Sequence, residues 1–255
     1  METGRRKDMD SAASRLCFAG DLARFVPRAD ASGAVHLSLR RRASVKDVLE
    51  AQGVPHTEIG SLTINGRWAE FAAPLRPGDR VLVLPPLAPV DPTRPSRLRP
   101  MPAGRRFLVD VNVGKLARML GFDAATDPDA GDADLAARAH AEQRILLSKD
   151  AGLLKRKAVV WARHLRHDTP KAQLGEVVWL FGLAAHSRPF SRCLRCNVLL
   201  QRVDKAAVDH RLLPKTRRYY RDFARCPVCE RLYWRGSHYA QMQQWLQVLA
   251  ADRRG

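Results

Sequence analysis

The chain has 255 residues, 45% of them apolar and 27% charged, which excludes a disordered polymer and leaves room for one large or two modest cores. Lys and Arg number 44 against 26 Asp and Glu, a formal +18; this favours polyanions such as nucleic acid or anionic lipid, although general solubility charge gives the same sum. No stretch approaches the ~18 apolar residues of a membrane span, and METGRRKDMDSAASRLCF lacks a signal-peptide core, so the chain reads as cytoplasmic with no membrane partner.

In chain order, SRLCFAGDLARFV predicts a strand and a short turn, and AVHLSLRRR alternates as a second strand. SVKDVLEAQGV predicts a helix that opens on Ser44 as N-cap and stops at Gly53. LTINGRWAEF carries Asn65-Gly66 as a hairpin signal, and LRPGDRVLVLPP a turn and a last strand. Strand, strand, helix, strand, strand over residues 14–88 resembles an α+β ubiquitin-like beta-grasp domain, in particular the ubiquitin-like sulfur carriers, which share the SVKDVLE helix start and the LxPGDxVxVxPP ending. Those carriers act through a free C-terminal Gly-Gly, whereas this chain continues through VLVLPPLAPV, so sulfur transfer does not carry over. A protein partner for this domain remains an expectation.

Seven prolines between Pro85 and Pro102 make residues 89–104 an extended Pro-rich linker. Beyond it the rhythm changes: RFLVD as strand, VGKLARMLG as helix, DAATD as strand, DADLAARAHAEQ as helix and RILLSKD as strand. That alternation over residues 105–185 predicts an α/β domain with a parallel sheet and flanking helices, its site at the carboxyl ends of the strands.

Asp110 and Asp150 each end an apolar strand, where an unpaired carboxylate costs several kcal/mol. Asp132 and Asp134 stand at a helix start between them. Carboxylates converging from two strand ends and a helix start repel one another unless a divalent cation neutralises them, and an oxygen-only set suits magnesium or manganese. Asp132 alone reads equally as a helix cap. Lys115, Arg118 and Lys149, near these acids, read as phosphate contacts or as a solvated basic face. Asp168 reads as a turn residue more than as a fourth acid.

Of five cysteines, Cys193, Cys196, Cys226 and Cys229 form two CxxC knuckles, the pattern of a closed structural zinc site, and Cys17 reads as a small buried hydrophobe. NVLLQRV and RLYWRG, one after each knuckle, are expected to pair as strands of a C-terminal zinc-ribbon subdomain, residues 186–250. From His186 to Arg235 there are 13 Lys and Arg against 4 Asp and Glu, half of the net charge. Lys215, Arg217, Arg218, Tyr219, Trp234, Arg235 and His238 interleave basic and aromatic groups, the pairing that holds phosphates and stacks on unpaired bases. Tyr220 and Trp234 read equally as core for a small subdomain. Tyr239, Met242, Trp245, Leu246 and Leu249 repeat at helical spacing as a core stripe.

FLVDVNVGKLARMLGFDAATD, then DADLAARAHAEQRILLSKDAGLLKR, both CxxC pairs and YWRGSHYAQM resemble the PIN-type ribonuclease domains of the Mut-seven C-terminal family, over roughly residues 105 to 245. The resemblance implies metal-dependent RNA cleavage by Asp110, Asp132 and Asp150, with SKD where the family has TRD, and leaves Asp132 or Asp134 to face the metal. The sequence therefore reads as a magnesium- or manganese-dependent ribonuclease with a basic zinc ribbon. The alternative is an RNA-binding module, for structured RNA such as tRNA, with weak or lost nuclease activity. The oligomeric state is not legible in it.

Overall fold

The computed structural model describes residues 13–39, 41–110, 121–186, 188, 191–236, 239–241, 243, 244, 247 and 248. The chain divides into two compact units, one running to Leu87 and including Ser96–Leu98, the other made of Ala88–Pro95 and the chain from Arg99 onward.

The first unit contains β1 (Ser14–Phe18), β2 (Ala34–Leu37), β3 (Ala43–Ser44), α1 (Val45–Ala51), β4 (Ser61–Ile64), β5 (Arg67–Trp68), β6 (Pro74–Leu75) and β7 (Arg80–Leu84). Five strands form one sheet in the order β2-β1-β7-β4-β5, with β1 and β7 parallel at its centre and the other neighbours antiparallel; β3 and β6 pair separately. α1 starts where expected, because the Ser44 hydroxyl accepts the Asp47 N–H at 3.1 Å. Its buried Val45, Val48 and Leu49 pack with Leu16, Val81 and Val83 of the sheet. The helix gives way to Gly53, at φ +114°, where a Cβ would stand 2.2 Å from the Phe25 carbonyl oxygen. Asn65 and Gly66 both take positive φ, as a tight type I′ hairpin requires. The Asn65 amide donates to Asp79 Oδ1 at 2.7 Å and its carbonyl accepts the Arg80 N–H at 2.9 Å, which ties the hairpin to the PGD turn.

The second unit opens with β8 (Phe107–Val109), β9 (Ala124–Thr126), α2 (Asp132–Ala141), β10 (Ile145–Ser148), α3 (Ala151–Leu154), β11 (Ala162–His164) and α4 (Pro170–Leu180). The four strands are all parallel, in the order β11-β10-β8-β9. Both faces are covered, as parallel sheets require: Phe107, Val109, Ile145 and Leu147 pack against Leu174, Val177 and Leu180 of α4, while Leu108 and Leu146 meet Leu135, Ala136 and Ala139 of α2 and Leu153 of α3. The helix expected over 113–121 has only Gly121 among the described residues. In the Pro-rich stretch, the Val90 N–H donates to the Leu180 carbonyl at 2.6 Å and the Trp161 indole to the Pro100 carbonyl at 2.6 Å, so these segments are anchored within the second unit.

Past the α4 region, β12 (Gln201–Val203), α5 (Lys205–Val208), α6 (Pro214–Tyr219), β13 (Phe223–Arg225) and β14 (Leu232–Trp234) form a three-stranded antiparallel subdomain in the order β12-β13-β14. The strands after the two knuckles do not pair with each other; β13, which leads into the second knuckle, sits between them. Its small core is Val208, Leu212 and Phe223. Among the described residues no helix is long and apolar enough to cross a membrane.

Candidate functional site

The chain leaves β8 for β9 on one side, then returns to β10 on the other side of β8. In open parallel sheets that reversal opens a crevice beyond the carboxyl ends of the two central strands. Asp110 directly follows β8 and is only 5% exposed. Ser148, the fully buried last residue of β10, donates its hydroxyl to Asp110 Oδ2 at 2.7 Å and accepts the Asp150 N–H at 2.9 Å. Asp150 caps α3, its Oδ1 accepting the N–H groups of Gly152 at 2.6 Å and Leu153 at 3.3 Å. One serine thus fixes the two strand-end acids relative to each other.

The other acids are engaged differently. Asp132 starts α2 and pairs with Arg156 at 3.6 Å, both half-exposed; Asp134 lies exposed two residues along. Lys149 is ion-paired to the exposed Asp168, whose carboxyl that hydrogen bond and charge hold below the usual range. Asp110 and Asp150 therefore lie at one edge, Asp132 is held by a guanidinium, and among the described residues no three carboxylates converge as the cysteines do. Lys115 and Arg118 lie outside the described residues.

At the opposite, amino-terminal end of the same strands, Asp123 collects cations. Arg144 donates to it at 2.6 Å from a 7% exposed position, Arg106 lies at 3.5 Å, and Arg192 and Asn197 reach it at 4.0 and 3.5 Å from the first cysteine knuckle. This network seats that knuckle against the parallel sheet.

The four knuckle thiols have their sulfurs all within 4.8 Å of one another, with Cys193 and Cys229 at 3.6 Å. Four thiolates ~2.3 Å from one zinc ion stand ~3.8 Å apart, so the set fits a tetrahedral metal such as zinc. The leading cysteine of each knuckle is buried and accepts two backbone N–H groups: Cys193 from Arg195 and Cys196, Cys226 from Val228 and Cys229, at 3.3 to 3.4 Å. Burial raises the Cys193 thiol, but bonds from the Tyr233 hydroxyl and these amides outweigh it and bring it to about 6. Burial and then the neighbouring thiols push Cys196 up to about 12. A divalent cation removes that repulsion and holds all four as thiolates.

The model of the Mut7-C RNAse domain matches residues 105–246, over half of the chain and spanning both the acidic edge and the cysteines. The chain belongs to the Mut7-C RNAse domain family. A second family model, Mut7-C ubiquitin, matches residues 12–91, in agreement with the ubiquitin-like topology of the first unit. Two crystal structures of the small archaeal modifier protein 1 of Haloferax volcanii are similar to this chain at 22% and 19% identity, covering 30% of it and 99% and 98% of their own lengths, each with a TM-score of 0.25. A comparison with curated proteins returns no significant match.

Several basic and aromatic residues of the Mut7-C domain hold structure. Arg217 binds the Asp209 carboxylate at 3.1 Å and its carbonyl at 2.7 Å, and its own carbonyl accepts from Lys205. Trp234 packs with Tyr220 and Phe223 around the subdomain core. Tyr233 turns inward: its hydroxyl meets Cys193 Sγ at 3.1 Å and accepts the Leu194 N–H at 3.0 Å, while burial and then Cys193 push its phenol up. The strand alternation of LYW was the available signal, placing Tyr233 opposite to Trp234. Lys215, Arg218 and Tyr219 are exposed, with Arg218 5.5 Å over the Tyr219 ring, and Arg235 is 5.4 Å over Tyr239. His238, Met242, Trp245, Leu246 and Leu249 lie outside the described residues.

Proposed function

We propose that the Mut7-C domain is a divalent-metal-dependent ribonuclease whose acidic edge cleaves RNA phosphodiesters and whose knuckle subdomain is a zinc ribbon. The observation that carries this is Asp110, a buried carboxylate at the carboxyl end of the central strand β8, linked through Ser148 to the backbone of Asp150. Among the described residues no cation pairs with Asp110, and a buried charge left so costs several kcal/mol. Among the described residues Asp110 Oδ2 and Asp150 Oδ1 take the protein hydrogen bonds, which leaves Asp110 Oδ1 and Asp150 Oδ2 as hard oxygens that would fit magnesium or manganese. Asp132 or Asp134 would complete the set, Asp132 by giving up Arg156.

Bound there, such an ion supplies Lewis acidity at the scissile phosphate. The chain's own residues do the positioning. Ser148 holds Asp110 in one rotamer, α3 fixes Asp150, and Arg156 and Lys149 stand close enough in sequence to these acids to bring phosphate charge to the edge. Four thiolates leave the zinc no open position, so it holds a small-cored subdomain together and takes no part in the cleavage.

Purified zinc-loaded protein mixed with end-labelled total RNA and manganese tests the reading, with Asp110→Asn alongside. Manganese-dependent fragments absent from the variant are expected. The Asp132–Arg156 pair favours a second reading, an RNA-binding module with nuclease activity weak or lost. Salt-sensitive binding with no fragments from either protein would favour it. On the ubiquitin-like unit, the in-register row Trp68, Thr63, Leu82 and Cys17, with Trp68 and Leu82 exposed, is the face for a protein partner; its loss of captured partner on Leu82→Glu is the corresponding test.

A further inference from the structure

Among the described residues one face of the β12-β13-β14 sheet is covered by a small apolar core and the other is open. The register sets Val203, Phe223 and Trp234 in one row, packed on Val208 and Leu212, and Arg202, Ala224 and Tyr233 in the row beside it on the opposite face. Ala224, in the middle of that second row, has only a methyl where its neighbours have long side chains. Above it lies a cleft of about 570 Å³, walled by Arg188, Arg202, Arg235 and Tyr239, with Asp222 the one carboxylate among the described lining residues. Asp222 does not neutralise the wall: it stands 3.8 Å from Arg202, both largely solvent-exposed, where an ion pair is weak.

We propose that this cleft is a subsite for an unpaired RNA nucleotide. The proposal rests on the chain acting on RNA, but not on its cleaving RNA. The volume lies in the ~300–1,000 Å³ range of small-ligand sites and suits a single nucleotide. Arg188, Arg202 and Arg235 present guanidinium forks, which match phosphate oxygens. The Trp234 edge supplies ring surface for a base, and a base that displaces Arg235 from the Tyr239 ring, 5.4 Å beneath it, gains a second. A duplex keeps its bases stacked inside and offers only backbone, so it leaves the cleft unfilled. The exposed α6 residues Lys215, Arg218 and Tyr219 are outside the cleft, so the subsite is separate from the basic patch most apparent in the sequence.

The test is fluorescence anisotropy of a labelled oligouridylate on full-length zinc-loaded protein without added manganese, against a hairpin duplex and a polyglutamate competitor. Ala224→Leu fills the floor and changes no charge; Arg202→Ala removes one wall cation. Each is expected to weaken oligouridylate binding about tenfold, with Arg202→Ala also lowering the salt slope by ~0.7, one single-strand phosphate contact. Arg28→Ala, at an exposed arginine of the ubiquitin-like unit, serves as a control of equal charge change and leaves the affinity within about twofold. Zinc content and circular dichroism verify each variant, and if Ala224→Leu loses its zinc, Arg202→Ala against Arg28→Ala decides. Wild-type affinity in Arg202→Ala, equal binding of duplex and single strand, or displacement by polyglutamate as effective as by RNA would each overturn the subsite. Fragmentation of RNA by manganese is scored separately with Asp110→Asn, so a failed nuclease reading and a failed subsite give different results.

Discussion

Replacing Ser148 by alanine removes two hydrogen bonds from a fully buried position. The bond to Asp110 Oδ2 at 2.7 Å is to a charged acceptor, and such bonds contribute ~1.5–3 kcal/mol; the Asp150 N–H it accepts at 2.9 Å is left unmade at ~1 kcal/mol. The expected cost is about 2–4 kcal/mol, expressed locally where β8 and β10 end. The Asp110 amide, bonded to the Leu147 carbonyl at 3.1 Å, is a reporter inside that region. Its hydrogen exchange should accelerate ~30- to ~700-fold at one decade per 1.4 kcal/mol. The decisive comparison is Ser148→Ala in the Asp110→Asn background. There the lost bond is between neutral groups, worth ~1 kcal/mol, so the serine should matter less by about 1 kcal/mol. An equal effect in both backgrounds would refute the claim that Ser148 serves the Asp110 charge.

Asp123→Ala should destabilise the second unit by about 2 kcal/mol, below the ~3–5 of a fully buried pair because Arg144 keeps Glu142 and the Phe107 carbonyl; denaturant midpoints measure it. Chelation strong enough to remove zinc should abolish exchange protection in β12-β13-β14 while the parallel sheet keeps its own, and metal analysis should find one zinc per chain before treatment. Arg138, then Arg144, hold the Glu142 carboxyl below its ordinary 4.5. Its contribution is present above that value and is lost as pH falls through the lower folded one, so Glu142→Gln should flatten the loss of stability in acid below about pH 4.5.

Local signals with a single physical cause were legible in the sequence. Ser44 caps α1 because an orphaned N–H needs an acceptor, and Asn65-Gly66 turns because both residues tolerate positive φ. The apolar runs of β8 and β10 signalled a sheet buried on both faces, and Asp110 and Asp150 stood out as interruptions. The long-range partners were not legible. Ser148 looks in sequence like one more polar residue before a lysine, and its bridging role needs β8 and β10 to be neighbours in register. Tyr233 and Arg217 belong to a basic, aromatic stretch, yet a sulfur and a backbone carbonyl claim them. That β13 separates β12 from β14 is likewise invisible to spacing, since three residues, Phe223 to Arg225, carry no periodicity.

Asp123 fastens the first knuckle to the starts of strands whose ends carry Asp110 and Ser148. β8 is three residues long, so the two ends are ~10 Å apart along the strand. Because the seating is an ion-pair network between folded elements, that separation is a fixed gauge. The cysteine subdomain and the acidic edge therefore stand at opposite ends of the same short strands, held at one spacing by Arg106, Arg144 and Arg192 on Asp123.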